Sequence, residues 1–264
     1  MPFNRRSLPC VKLAAIAVLT FLHFPVLIII LYSLTTEQAS FQFPPPGLTL
    51  NWYEAARHRP DLWDAFQRSL EVAGIATGTA IILGSMAAIA VYRRVFFGRD
   101  IVSLLIILPI SLPGIVTAIS LRSAFSQRGI DLGLQTIVIG HATFTIVIVF
   151  NNVVARLRRT SQSQIEASMD LGATPLQTFK NIIVPQVSSA LLAGALLAFA
   201  LSFDEIVVTN FTAAPGDDTL PIWILRQLSR PRDRPVTNVA AVIVITATFI
   251  PILLAYYLSR EPEV

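Results

Sequence analysis

Lysine is almost missing from this sequence of 264 residues: only Lys12 and Lys180 occur. Neither stands in a Gly-x-x-x-x-Gly-Lys-[Ser/Thr] run, so the chain has no phosphate-binding loop and does not itself hydrolyse ATP. Cys10 is the sole cysteine. It can form no internal disulfide and no paired-cysteine metal site, and no His-Glu-x-x-His pattern supplies another. Charge of either sign is scarce, at 14% of residues, where a soluble domain carries about 25%. No polar linker is long enough to divide the chain, which reads as one domain over 1–264. No small-x-small cleavage site follows the first apolar run, so that run reads as a retained helix and not a removed signal.

What is abundant is apolar surface, contributed by 54% of the residues. A globule in water could not bury that much. Six runs, at about 11–34, 70–92, 101–121, 133–155, 186–208 and 236–258, each reach the roughly 20 residues that a helix needs to cross a bilayer. The expected fold class is therefore an all-α polytopic membrane protein with six transmembrane helices. The net charge of +4 comes from short clusters between apolar runs, a membrane-topology pattern and not a nucleic-acid face. Those clusters divide almost evenly between the two sides. Arg93, Arg94 and Arg99, with Arg156, Arg158 and Arg159, favour a cytoplasmic amino terminus, while the run from Arg226 to Arg234 opposes it.

Several features of the spans and connections read as packing. Trp52, Tyr53, Trp63 and Phe66 sit among charges before the second span, as interfacial aromatics do. The prolines of 43–46 predict a rigid extended spacer. Gly74 and Gly78, and the stripe Ala190, Gly194, Ala198 and Ser202, have the small-xxx-small spacing of helix contacts in lipid. His141, Asn151 and Asn152 read as packing hydrogen bonds more readily than as ligands. Pro109 and Pro113, one turn apart and followed by Gly114, remove two backbone donors from the third span. Either a kink for packing or a broken helix beside a water-filled path satisfies that pattern.

Asp204 and Glu205 fall near the outer end of the fifth span. A carboxylate at mid-bilayer costs about 2.5–3.5 kcal/mol on insertion scales and generally faces a cavity or a partner. The pair is a candidate acidic lining for a cationic solute, Asp204 slightly ahead. The alternatives are carboxylates in interfacial water or a pair with Arg122, and more remotely an intramembrane enzyme.

The connection 163–185 is the most specific segment. Ser163 and Glu166 have capping-box spacing, predicting a helix from Gln164. Gly172 stands where a left-handed residue ends such a helix. Thr174, Pro175 and Gln177 form a second capping box with proline at the first helical position, and Pro185 is expected to stop that helix. Glu166 and Asp170 make an acidic strip opposed to anionic lipid, so a protein partner is expected to meet this surface. Leu176, Phe179 and Ile183 are expected to share one side of the second helix.

Glu166, Ala167, Ser168, Met169, Asp170, Leu171, Gly172 and Ala173, continuing to Ile182, Ile183, Val184 and Pro185, resemble the coupling-loop motif of ABC importer permeases. Ser168 replaces the motif's second alanine and Val184 its leucine. The run 201–208, Pro215-Gly216, Thr219-Leu220-Pro221 and Asn51-Trp52-Tyr53 are similar to the spermidine/putrescine type. The resemblance implies a type I importer permease fold in a bacterial inner membrane with both termini cytoplasmic. It implies Glu166, Ala167, Asp170, Gly172, Ala173 and Pro185 as the ATPase-coupling residues. Asp204, Glu205, Pro109 and Pro113 remain the candidate translocation path. The implied partners are a cytoplasmic ATPase dimer, a second identical or paralogous permease chain and an external solute-binding protein. No catalytic residue, metal or cofactor is expected in this chain; ATP and magnesium would be bound by the partner ATPase. Polyamine is the leading solute, with iron, phosphonate, sulfate or an opine-like compound as alternatives, and an ion-coupled secondary transporter as a more distant one.

Overall fold

The structure is a computed structural model that describes residues 8–36, 42–93, 96–229 and 234–259. Every named element among the described residues is helical, and the sole strand-like pairing there is the bridge between Thr35 and Leu48. The helices are α1 (Leu8–Ser33), α2 (Asn51–Arg57), α3 (Pro60–Arg93), α4 (Arg99–Ser111), α5 (Gly114–Gln127) and α6 (Leu134–Leu157). They continue with α7 (Gln162–Asp170), α8 (Pro175–Thr178), a π turn (Phe179–Ile183), α9 (Val184–Phe203), α10 (Val207–Thr212), α11 (Leu220–Leu228) and α12 (Arg234–Ser259).

Among the described residues four helices are long and apolar enough to cross a membrane: Val11–Ser33, Pro60–Tyr92, Leu134–Leu157 and Pro175–Phe203. Taken together, α4 and α5 are long and apolar enough to make one more span, bent by 104° between Ser111 and Gly114. Pro113 is the reason. Its ring forbids a continuing helix, and its carbonyl instead accepts from Val116 to start α5. The predicted sixth span falls on α12. The shorter apolar helix Pro235–Phe249 is described there, whereas most side chains from 250 onward lie outside the described residues.

The chain forms two compact units, Met1–Trp63 with Trp223–Val264, and Asp64–Ile222. In the first, α12 packs on α1 and α2. Residues 42–49 do not run out as an extended spacer. They return to the end of α1, where Thr36 N donates to Gly47 O (3.1 Å). The Trp52 indole donates to Thr35 O (2.7 Å) and the Tyr53 hydroxyl meets Ser33 Oγ (2.8 Å). These aromatics thus spend their polar ends on the chain itself.

In the second unit, α6 against α9 is the most extensive packing, and Ala80, Ala88, Phe150, Val153, Ile183 and Val187 belong to its core. Small residues allow it. A Cβ on Gly194 would meet Val149 Cα at 3.3 Å, so backbone approach there needs glycine. The predicted stripe is real, with Gly194, Ala198 and Ser202 all buried. At Gly74 and Gly78, by contrast, a Cβ would meet nothing within 4 Å among the described residues. The close approach of α3 is at Gly84, whose Cβ would lie 2.8 Å from Ile146 O. Spacing alone did not single out Gly84, because which glycine is needed within the chain depends on where the neighbouring helix crosses.

Candidate functional site

The helix pair after α6 is built by local signals. Asp170 ends α7, and Gly172 follows with φ +84°. Gly172 N donates to Met169 O (2.9 Å) and Ala173 N to Ser168 O (3.0 Å), the two reversed bonds of a Schellman turn. Thr174 then caps α8. Its hydroxyl accepts from Gln177 N (3.4 Å), while Gln177 Oε1 accepts from Thr174 N (2.8 Å), with Pro175 at the helix start.

Two details of this segment differ from the sequence expectation. The N-cap of α7 is Ser161 and not Ser163, so the helix begins at Gln162 and Glu166 makes no reciprocal cap. The Ser161 side chain makes no cap hydrogen bond either, because the two serine hydroxyls pair with each other. Secondly, Pro185 does not stop the helix, which continues from Pro175 to Phe203. The N–H of Val184 reaches back to Phe179 O across a π turn. That wider turn relieves the clash a proline ring makes with the carbonyl four residues earlier.

The serine at position 168 is also explained. Its hydroxyl donates to Ile165 O (2.9 Å) and accepts from Thr178 Oγ1 (2.8 Å), tying α7 to α8. Ile165, Thr178 and Ile183 are buried beneath the pair. Of the expected apolar side, Leu176 is instead exposed. Together with Met169, Leu171, Glu166 and Asp170 it forms an outward apolar and acidic surface.

The second site lies where α4 and α5 break. A cavity of about 240 Å³ is lined by Pro109, Gly114, Thr117, Phe144, Leu201 and Glu205 among others. Pro113 adjoins it as the N-cap of α5. The fifth span also breaks here: α9 ends at Phe203, Asp204 caps it, and α10 starts at Val207. Glu205 is half-buried, and one carboxylate oxygen accepts from Val208 N (2.8 Å). A carboxylate has about four acceptor positions, so its remaining capacity is available to the cavity. Asp204 is exposed and does not line it. Arg122 donates to Phe211 O (3.1 Å) and forms no pair with Asp204.

Behind this break is a buried polar network. His141 is fully buried, with Nδ1 2.7 Å from Ser202 Oγ and Nε2 2.8 Å from Thr209 Oγ1. It joins α6 to both sides of the broken span. Asn152 donates to Ile148 O (2.9 Å) within its own helix.

Residues 80–262 match the protein family described as the binding-protein-dependent transport system inner membrane component. The chain belongs to this family. It is an ABC transporter inner-membrane permease, a multi-pass transport component that is not itself catalytic. This permease is 31% identical over 245 residues to the spermidine/putrescine transport system permease protein PotC of Escherichia coli K12, covering 93% of this chain and 92% of that one. It is 33% identical over 251 residues to the putrescine transport system permease protein PotI of the same organism, covering 92% and 88%. Its fold is similar to that of a bacterial ABC transporter involved in the import of the acidic polysaccharide alginate. The TM-score is 0.72, with 17% identity and full coverage of both chains.

Proposed function

We propose that this permease forms, with a second permease chain, the membrane path of an ATP-driven importer for a small polycation of the spermidine or putrescine type. The observation that supports the solute class is the placement of Glu205. It is the acidic group lining the cavity at the double break, amid apolar and hydroxyl side chains. An anion fixed in a low-dielectric surround attracts an ammonium group strongly and gives little to a neutral solute. The relatives named for spermidine and putrescine transport support the same reading.

In this reading the chain has six spans, α12 being the sixth, and both termini are cytoplasmic. Residues 163–185 face the cytoplasm, where Glu166, Ala167, Asp170, Gly172 and Ala173 dock a separate ATPase dimer. Pro185, with the π turn before it, carries the docking movement into α9. ATP and magnesium belong to that partner, and a solute-binding protein delivers the solute from outside. Closure of the two ATPases brings the coupling helices of the two permeases together, and the breaks at Pro109–Pro113 and Asp204–Ile206 act as the points that give.

The test is reconstitution in vesicles with the cognate ATPase and binding protein, followed by uptake of labelled putrescine and spermidine. Glu205→Gln keeps the size and the acceptor for Val208 N and removes the charge. Uptake of the polycations should fall at least about tenfold, the equivalent of about 1.4 kcal/mol, while Asp204→Asn changes it little. Wild-type uptake of neither polyamine, or an undiminished rate in Glu205→Gln, would overturn the solute assignment.

A further inference from the structure

A cavity of about 360 Å³ opens at the end of the second unit that carries α7, between the end of α3, the start of α4 and the end of α6. Its volume is that of a ligand site. Arg99, Arg158, Tyr92, Ser103 and Asn151 supply its polar groups, and Asp100 is its one carboxylate. Among the described residues Arg99, Asp100 and Arg158 form no ion pair. Two arginines therefore line one cavity, and among the described residues no carboxylate pairs with either. Guanidinium groups are suited to two-pronged contacts with phosphate oxygens.

The surroundings say what kind of phosphate compound fits. A second cavity of about 350 Å³ shares Arg99 and Asp100 and extends past Phe96 to Ile101. From there α4 has no buried residue, and Ile101, Leu104 and Leu105 are each about 60% exposed. Phe97 is fully exposed at the same rim. The second cavity thus leads from Arg99 and Asp100 round to Ile101, where the exposed apolar stripe of α4 begins, the shape of a headgroup with chains attached. A free phosphate or a nucleotide would use the cavity and leave the stripe bare.

From this continuity we infer that Arg99 and Arg158 form a binding site for the phosphate of an anionic glycerophospholipid in the leaflet on the α7 side, with its acyl chains along α4. The site is separate from the Glu205 cavity and does not depend on which solute is carried. A basic pocket between spans is a general form of headgroup recognition, and each arginine near a membrane surface contributes about 1 kcal/mol, or about fivefold in binding.

The experiment is native mass spectrometry of the full chain in detergent with added phosphatidylglycerol or phosphatidylcholine. Thermal unfolding is recorded in each lipid. Wild type should retain phosphatidylglycerol in preference to phosphatidylcholine and unfold at a higher temperature with it. Arg99→Gln and Arg158→Gln should each reduce that retention about fivefold, whereas Arg128→Gln, at the end of α5, should not. Unfolding in phosphatidylcholine controls for misfolding, since it should be unchanged in all three. Asp100→Asn, which removes the opposing charge, should retain more phosphatidylglycerol than wild type. Equal retention of the two lipids by wild type would overturn the site. So would equal loss in Arg128→Gln, or unaltered retention in Asp100→Asn. Saturable binding of inorganic phosphate, measured by phosphorus NMR, without lipid selectivity would replace the lipid by a free anion.

Discussion

Nε2 of His141 lies 2.8 Å from Thr209 Oγ1, and the single hydroxyl proton of Thr209 is already directed at Glu205 O, 2.9 Å away. With that proton on Glu205 O the threonine oxygen accepts, and the histidine donates from Nε2. Nδ1 is left as the acceptor for the Ser202 hydroxyl, 2.7 Å away. One imidazole in one tautomer therefore joins α9 and α10 across the break at Asp204 and sets the backbone next to Glu205.

Nitrogen NMR of labelled protein should find a neutral imidazole protonated on Nε2. His141→Ala leaves two buried hydroxyls without their partner, at about 1–3 kcal/mol for an unsatisfied group. The expected outcome is a clearly lower unfolding temperature in detergent. A protonated Nδ1, or unchanged unfolding, would contradict the network.

Gly84 and Gly74 should respond in opposite ways. A Cβ at 84 meets the backbone carbonyl of Ile146 at 2.8 Å, and a backbone atom cannot rotate aside. Gly84→Ala is expected to cost about 1–3 kcal/mol, as overpacking does. A Cβ at Gly74, inside α3, has open space, so Gly74→Ala should raise the unfolding temperature of the isolated chain slightly, alanine being the better helix former by about 0.5–1 kcal/mol.

Ser168→Ala restores the alanine of the coupling-loop motif but removes the bond to Thr178, which is buried. A net loss of about 1 kcal/mol is expected. In a double-mutant cycle with Thr178→Val, the second change should cost less once the first is made, since both remove the same bond. Additive losses would show that the two hydroxyls act independently.

Gly172 has φ +84°, where any L side chain is strained. Gly172→Ala should cost about 1–2 kcal/mol at the turn, with Gly172→Asn milder because asparagine tolerates that region. Under the proposed docking role, solute-stimulated ATP hydrolysis by the reconstituted transporter should fall in the order glycine, asparagine, alanine. Membrane insertion, read by fractionation, should stay the same.

The legible parts of the sequence were those decided within a few residues. The Thr174–Gln177 cap and the Gly172 turn each involve groups about one turn apart, so residue type alone specifies them, whereas Pro109 and Pro113 left a kink and a break equally open. The Ser163 cap failed for an equally local reason: its hydroxyl pairs with that of Ser161, and the helix starts two residues earlier. Pro185 failed for a tertiary one. Ile183 and Val187 are anchored in the core on either side of it, and this packing holds a continuous helix that the proline by itself would end.

By itself the sequence determined that the chain lives in a membrane, that its spans are helices, and that a two-helix turn with an acidic surface interrupts them. Composition and local backbone chemistry suffice for that. Only the tertiary structure decided that Glu205 and not Asp204 borders the cavity, and that Gly84 and not Gly74 meets another helix. Asp204 and Glu205 stand in the break between α9 and α10, where no helical repeat sets their directions. Which one faces inward depends on where α9 ends and what crosses it, and those contacts come from residues far away in the chain.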